Sequence, residues 1–439
     1  MKGRFRLYAV ASVSALLISW LLALYTESTP FGKQLLRSQY AFFSREDYLS
    51  SGEHNGAPLA LRLVTLTSQD YENFFAGDVH YTPREKLANA MGNSIRMGAR
   101  VVLITYSLSH PSPLEEPDMY LESLRQVTNI AREQNAVILI PQNTSCKEQD
   151  ACADCVRYTA FMRENSDIFV PVPSFISSQY SDIYLTRYFA ADASTPGMAL
   201  SAVLLAKHPD AGHRAILNAT KDLMKRKKPS AAFDNTWNRF LLERGNAVFL
   251  SRYPLLPFRQ EDHYPRSVAE ARGAYDEVPY PFSALASMTQ IPDGQSFAGK
   301  IALIGNAFSE MEKEHPSPEG SLPGVYIVAN QITMLLEDRL TRIPGSFATF
   351  LYLTSFIGLL VLMSWLGLRL STLFVSGIAL FILLFSMRVF NILPPVHAFV
   401  LAVPVYSFCS FCVRLRSCRS LHHLLPWMHS LLIKDKSGL

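Results

Sequence analysis

The chain has 439 residues, of which 18% are charged and 49% are hydrophobic, and its net charge is +4. The charged fraction is below the roughly 25% of soluble domains, which argues against a disordered or acidic-tail protein. The distribution of charge also argues against nucleic acid as a partner. The segment from Glu27 to Arg342 carries a net charge of −5, and the basic excess lies at both chain ends beside apolar runs. That arrangement is typical of membrane topology.

The first apolar run, Leu7–Tyr25, contains 19 uncharged residues and follows the basic residues Lys2, Arg4 and Arg6. A membrane-spanning helix needs about 20 residues, whereas the apolar part of a signal peptide has about 7–15. Residues 22–25 also offer no A-x-A-like cleavage site. We interpret residues 7–25 as an uncleaved anchor that follows a cytosolic segment, residues 1–6. A cleaved signal peptide is the alternative, and both interpretations export the chain that follows.

A second apolar region predicts three further spans separated by short turns. These are residues 347–368, 371–387 and 396–413. Arg369 and Arg388 are the only charged residues between 347 and 413, and they mark a cytosolic and an outer hairpin. The sequence thus predicts an α-helical membrane bundle of four spans with both termini in the cytosol. A transporter is disfavoured because no carboxylate lies within these spans.

The exported segment, residues 26–346, alternates strand and helix patterns. Short apolar runs of strand type lie at Leu59–Thr67, Ala99–Thr105, Ala136–Ile140 and Gly299–Gly305. Thr82, Pro83 and Glu85 form a helix start with a capping box, and Gly98 predicts the end of that helix. The β-α-β-α-β order predicts an α/β domain with a mostly parallel sheet and flanking helices. Ligands of such sheets bind outside the carboxyl ends of the strands.

Four sequence blocks carry a resemblance to a known family. They are YPFSALAS (280–287), FAGKIALIG (297–305), HPSPEG (315–320) and LPGVYIVAN (322–330). Together with the elements at 82–84 and 98–102, they resemble the type-2 CHASE domain, an extracytoplasmic sensory module of bacterial receptors. The resemblance covers about residues 30–413 and implies a sensory role. It also implies an order of one span, a long exported domain and three closely spaced spans.

The resemblance also identifies positions where this chain departs from the family. An acidic residue typically ends two of the family's strands, where this chain has Thr67 and Thr105. A Glu and a His of the family are replaced by Tyr326 and Val328. The candidate ligand-binding residues at the strand ends and in the following loops are Thr67, Thr105, Tyr106, Asn306 and His315. The substitutions leave open that the sensory domain is a degenerate, structural version.

Three cysteines lie in one exported loop, namely Cys146, Cys152 and Cys155. Exported thiols tend to oxidise, so we expect one disulfide among them, with its pairing left open. A redox or zinc role is the less favoured alternative, since a Cys-x-x-Cys pair alone does not complete a zinc site. The chain shows no catalytic signature, and we expect no enzymatic activity, no metal and no cofactor.

These observations favour a sensory or interaction protein of the bacterial inner membrane, with its large domain in the periplasm or outside the cell. We expect it to relay a signal to a separate protein partner in the membrane or cytosol, because residues 414–439 are fewer than the ~40 that an independent fold usually needs. The alternative is a structural or assembly subunit of a cell-envelope complex. The partners expected are the lipid bilayer and a protein, and a homo-oligomer is compatible with both interpretations.

Overall fold

The computed structural model of the chain describes residues 2–29, 61–67, 70, 84–106, 108, 116–142, 153–173, 185–186, 188–189, 194–209, 211–235, 237–238, 241, 248–249, 280–289, 297–307, 315–317, 320–336, 341–342, 346–365 and 396–417. The chain divides into two compact units. One comprises Met1–Tyr40 and Arg342–Leu439, and the other comprises Ala41–Thr341.

The described strands are β1 (Leu61–Leu66), β2 (Val101–Ile104), β3 (Val137–Pro141), β4 (Phe169–Val172), β5 (Leu185–Thr186), β6 (Val248–Phe249), β7 (Tyr280–Pro281), β8 (Ile301–Asn306), β9 (His315–Ser317), β10 (Gly320–Leu322) and β11 (Thr341–Arg342). The described helices are α1 (Lys2–Ser28), α2 (Arg84–Arg96), α3 (Pro117–Glu133), α4 (Ala153–Glu164), α5 (Met198–Lys207), α6 (His213–Arg226), α7 (Phe282–Ala286), α8 (Gly324–Leu336), α9 (Ser346–Trp365) and α10 (Val396–Ser417).

A six-stranded sheet with the order β4-β3-β2-β8-β1-β7 forms the centre of the larger unit. Every pairing within it is parallel. Leu66 pairs with Asn306, and Ile104 pairs with Ile304, so β2, β8 and β1 end at one edge. This parallel sheet with its flanking helices confirms the α/β prediction. Strands β9 and β10 form an antiparallel hairpin, and β11, β6 and β5 form a small third sheet.

The strands are apolar throughout because both faces of the sheet are covered. On one face, Leu63 and Leu103 pack with α5, α6 and α8. On the other, Val64, Val102 and Ile304 pack with α2, α3, α4 and α7. Full burial of a side chain of this size contributes about 1.5–3 kcal/mol, so the two layers account for much of the domain's stability.

Helix α2 ends where the sequence predicts. Gly98 adopts a φ of +100°, and its amide donates to the carbonyl of Ile95. A Cβ at this position would lie 2.9 Å from the Cα of Ala298, so both the backbone conformation and the space require glycine. The predicted capping residues Thr82 and Pro83 lie outside the described residues.

The smaller unit contains a bundle in which α1, α9 and α10 pack together. Helix α1 contributes small residues at four-residue spacing: Ala11, Ala15, Ser19 and Ala23, each at most 3% exposed. Helix α10 contributes Ala398 and Ala402, which are fully buried. Small side chains at these positions allow helix backbones to approach closely, as in membrane helix pairs.

Among the described residues, one helix is long and apolar enough to cross a membrane, and its apolar window is Ala9–Thr26. The apolar stretches of α9 and α10 are shorter, at Thr349–Val361 and Ala398–Cys409. The predicted span at residues 371–387 lies outside the described residues. The structure therefore supports the first predicted span by length and composition, and the bundle of four spans stays a prediction.

Candidate functional site

Three of the predicted ligand-binding residues meet at the carboxyl edge of the sheet. Thr105 follows β2, Asn306 ends β8 and Thr67 follows β1, and these are three adjacent strands. The amide of Thr105 donates to the carbonyl of Ile304 at 3.1 Å, and the amide of Ala307 donates to that of Leu66 at 2.9 Å. Sequence reasoning thus places these polar residues together, at the edge where ligands of parallel sheets bind.

A buried carboxylate, Asp70, lies at this edge three residues beyond the predicted strand end. It is 3% exposed, and its Oδ2 accepts hydrogen bonds from the amide of Thr67 at 2.7 Å and from its hydroxyl at 2.9 Å. Its Oδ1 accepts from the amide of Ser283 at 3.0 Å. A carboxylate thus lies at this edge three residues beyond Thr67, and both of its oxygens accept from protein donors.

The apolar pattern of Leu59–Thr67 does not identify Asp70 as a site residue, because the polar residues that follow the strand indicate only its end. The signal that could identify it is the spacing of Thr67 and Asp70, which are three residues apart. The Thr67 hydroxyl donates to the Asp70 carboxylate, and the Asp70 amide donates to the Thr67 carbonyl.

Helix α7, which lies in the YPFSALAS block, is held at both ends by buried polar side chains. At its start, Asp70 accepts from Ser283 in the first turn, where a negative charge is favourable. At its end, Nδ2 of Asn93 donates to the carbonyls of Leu285 at 2.9 Å and Met288 at 3.0 Å. Asn93 is 3% exposed and belongs to α2. These contacts hold α7 in place beside β1 and α2.

Glycine 305 allows the end of β8 to meet the first turn of α8. A Cβ at Gly305 would lie 2.4 Å from Cγ2 of Val325 and 2.7 Å from Oγ1 of Thr105. Real Cβ atoms do not tolerate such contacts, so the position requires glycine for close approach. Two residues that differ from the family, Tyr326 and Val328, are each 6% exposed and pack in the apolar layer beside α5. In this chain those positions serve packing.

The remaining predicted residues lie elsewhere. Tyr106 follows Thr105 and packs against the apolar layer of α2 and α3. His315 lies in the hairpin that precedes α8, where its backbone pairs with that of Leu322. Cys155, in α4, is buried and disulfide-bonded. Cys146 and Cys152 lie outside the described residues, so the pairing stays a prediction.

The described residues contain no group of three or more His, Cys, Asp or Glu side chains that could hold a metal ion. At the carboxyl edge, the chemistry available is hydrogen bonding by hydroxyl and amide groups around one internally bonded carboxylate. That set suits recognition of a polar group and contains no arrangement of nucleophile and base.

Comparison with known proteins identifies the domain. The CHASE2 domain matches residues 15–369, a range that includes all four blocks noted in the sequence. No curated protein and no solved structure matches the chain. CHASE2 is a family of extracellular sensory domains. Because the match spans most of the chain and the α/β core lies inside it, the protein belongs to the CHASE2 domain family.

Proposed function

We propose that this protein is a membrane-anchored sensory protein whose exported CHASE2 domain relays a signal through its membrane helices to a separate protein partner. The observation that carries this proposal is the position of α8. It is a core helix of the domain, with Val325 and Ala329 fully buried against the sheet and α5. Among the described helices it is also the last before the membrane segments, and nine residues separate Leu336 from Ser346. A shift of α8 therefore has a short covalent path to the bundle.

Membrane insertion is supported by the apolar outer surface of the helix bundle. Large apolar side chains face outward as well as inward, including Leu21 at 59%, Val400 at 63% and Phe408 at 67% exposed. An outward apolar surface is unfavourable in water and favourable in lipid. In the proposed topology, α1 and the spans at 347–368, 371–387 and 396–413 cross a bacterial inner membrane, and both termini are cytosolic. The proposal assigns no catalytic step, cofactor or nucleic-acid contact to the chain.

Reporter fusions test the topology. Alkaline phosphatase should be active when fused after residue 60 and after residue 392, because it folds only outside the cytosol. Green fluorescent protein should fluoresce when fused after residue 417. Phosphatase activity after residue 417, or fluorescence after residue 60, would contradict the proposed orientation.

Hydrogen–deuterium exchange of the full chain in lipid nanodiscs tests the relay. Gly305→Ala forces an added Cβ against Val325 and displaces the first turn of α8. We expect altered exchange in α9 and α10. Gly92→Ala is the matched control, since its Cβ would meet Ile130 Cδ1 at an ordinary 3.4 Å. Unchanged exchange in α9 and α10, with the sheet still protected, would argue against the relay. Val325→Ala perturbs the same contact if Gly305→Ala does not fold.

A second candidate function is a structural or assembly subunit of an envelope complex. The observation that favours it is the internal use of Asp70, because both of its oxygens are occupied by Thr67 and Ser283. A carboxylate that only holds α7 in place gives the carboxyl edge a structural role. Under this alternative, Gly305→Ala disturbs the exported domain and leaves exchange in the membrane helices unchanged.

A further inference from the structure

The amino-terminal edge of the central sheet, opposite the predicted site, contains two adjoining cavities of about 400 and 420 Å³. Arg100, Val101 and Pro209 line both of them, so we treat them as one amino-edge cleft. Its walls come from the residues that lead into β2, β3 and β4, and from the turn between α5 and α6. Each cavity falls within the size range of small-molecule sites.

The charged groups that line the cleft are mainly cationic. They are Arg100, Arg132, Lys300 and the carboxylate Asp167. Arg132 engages that carboxylate, with Nε donating to Oδ2 at 3.1 Å, and its Nη2 donates to Oδ1 of Asn165 at 2.8 Å. The guanidinium beside Asp167 holds the pKa of this carboxyl below its usual value. The acid is thus ionised and paired with Arg132, and Arg100 adds a further positive charge to the cleft.

Two histidines also line the cleft, and each has a polar atom without a partner. Nε2 of His208 and Nε2 of His213 are buried and bond to no described residue. The backbone of Ser166 acts on the ring of His213 and raises its pKa. A buried polar atom without a partner is unfavourable, so a ligand that pairs with these nitrogens gains free energy.

The surroundings of His213 determine how it responds to an anion. Burial lowers the pKa of His213, and Arg214 lowers it further, whereas the backbone of Ser166 and the charge of Asp167 oppose the shift. The other groups that line this cavity are His208, Arg100 and Arg132. The imidazole is therefore neutral at pH 7 in the empty cleft. A bound anion favours its charged form, so binding and protonation strengthen each other.

We infer that the amino-edge cleft binds a small anion that carries a carboxylate or phosphate group, with Arg100 and the two histidines as its contacts. This inference does not depend on the proposed relay, because it concerns binding alone. It does place the ligand beside α5, a helix that packs against α8 in the same apolar layer.

Isothermal titration calorimetry of the full chain in detergent tests the inference, with inorganic phosphate and succinate as probes at constant ionic strength. We expect saturable binding of one probe molecule per chain. The affinity of the wild type relative to His213→Asn should be higher at pH 6 than at pH 7, since a comparison at one pH cancels the protonation of the probe itself. Which of the two probes binds more tightly distinguishes a phosphate from a carboxylate ligand. Arg100→Gln should weaken binding by about tenfold, the effect of losing one charged hydrogen bond.

Arg125→Gln is the matched control, because Arg125 is exposed on α3, pairs with Glu122 and does not line the cleft. It should leave the affinity unchanged. Absence of saturable binding by both probes, or equal affinities of the two arginine variants, would overturn the inference. His213→Asn provides a second variant that does not rely on Arg100. Its affinity relative to the wild type should fall more at pH 6 than at pH 7, and an equal ratio at the two pH values would overturn the assignment of His213. Failure of the relay experiment leaves these titrations unaffected, so the two proposals are tested separately.

Discussion

The two edges of the central sheet differ in how their polar groups are satisfied. At the carboxyl edge, the buried carboxylate of Asp70 is bonded to Thr67 and Ser283, and Gly305 lets α8 close against β8. At the amino edge, two cavities remain, lined by cationic groups and by His208 and His213 with unpaired nitrogens. Polar residues at strand ends therefore do not by themselves identify an open site. Among the described residues, the unpaired nitrogens and the open volume at the amino edge indicate room for a ligand there.

The largest expected effect of a substitution lies at the closed carboxyl edge. Gly305→Ala places a Cβ 2.4 Å from Val325, and overpacking of this kind costs about 3 kcal/mol. We expect a matching loss in the free energy of unfolding, measured by urea denaturation of the full chain in detergent. Gly92→Ala, where the contact is ordinary, should leave the chain at least as stable. Equal stabilities of the two variants would show that this edge is not tightly closed.

Asp70→Asn tests the same edge through its hydrogen bonds. The substitution removes the charge that accepts from Thr67 and Ser283, and we expect a loss of about 2 kcal/mol in the free energy of unfolding. Asp118→Asn is the control, since that carboxylate is 81% exposed and pairs with Arg157. Its loss should stay below about 1 kcal/mol. A similar effect of both substitutions in the same denaturation assay would contradict the structural role of Asp70.

Substitutions at the amino edge should change stability little. Arg132 and Asp167 are each about half exposed, and such surface pairs contribute roughly 0–1 kcal/mol. We therefore expect Arg132→Gln to lower the free energy of unfolding by less than about 1 kcal/mol. The same change leaves Asp167 without its partner inside the cleft, so phosphate binding should weaken in the titration experiment. If Arg132→Gln instead caused a large loss of stability and left phosphate binding unchanged, the amino edge would be structural and would not be a binding site.

The smallest effect expected is a dependence of stability on pH. His213 has a lowered pKa in the folded chain, so the unfolded chain takes up its proton first as the pH falls. Its contribution to stability is present above the ordinary value of 6.5 and is lost as the pH falls toward the folded pKa. Asp167 acts in the same direction at lower pH, since its pKa is lowered from 3.8.

Thermal denaturation of the wild type and His213→Asn between pH 7.5 and 5.5 measures this effect. The wild type should lose slightly more stability than the variant over this range. A constant difference between the two proteins would show that His213 does not titrate differently in the folded and unfolded chains.

Local sequence patterns predicted the elements of the domain better than their arrangement. The apolar runs at 59–67 and 99–105 are strands β1 and β2, and Gly98 ends α2. The insertion of β8 between β1 and β2 was not predictable in the same way, because it depends on pairing between segments about 200 residues apart. Thr67, Thr105 and Asn306 could be placed together because the ends of parallel strands share an edge.

The amino-edge cleft was beyond local reasoning for a related reason. Its charged and imidazole groups come from five separate segments, represented by Arg100, Arg132, Asp167, His213 and Lys300. None of these residues forms a motif with its neighbours in sequence, and only the folded chain brings them together. Asp70 was missed for the opposite reason, because its partner Thr67 is so near that the pair resembles an ordinary turn.

The row of small residues on α1 has a consequence for the biogenesis of the protein. In the proposed topology, α1 enters the membrane first, whereas Ala398 and Ala402 of α10, which belong to the same packed cluster, are synthesised roughly 370 residues later. At about 5–20 residues per second, the ribosome needs about 20–75 s for that interval. During that time α1 lies in the bilayer without α10, while the whole sensory domain is exported. The bundle therefore assembles last, after the sensory domain has been exported.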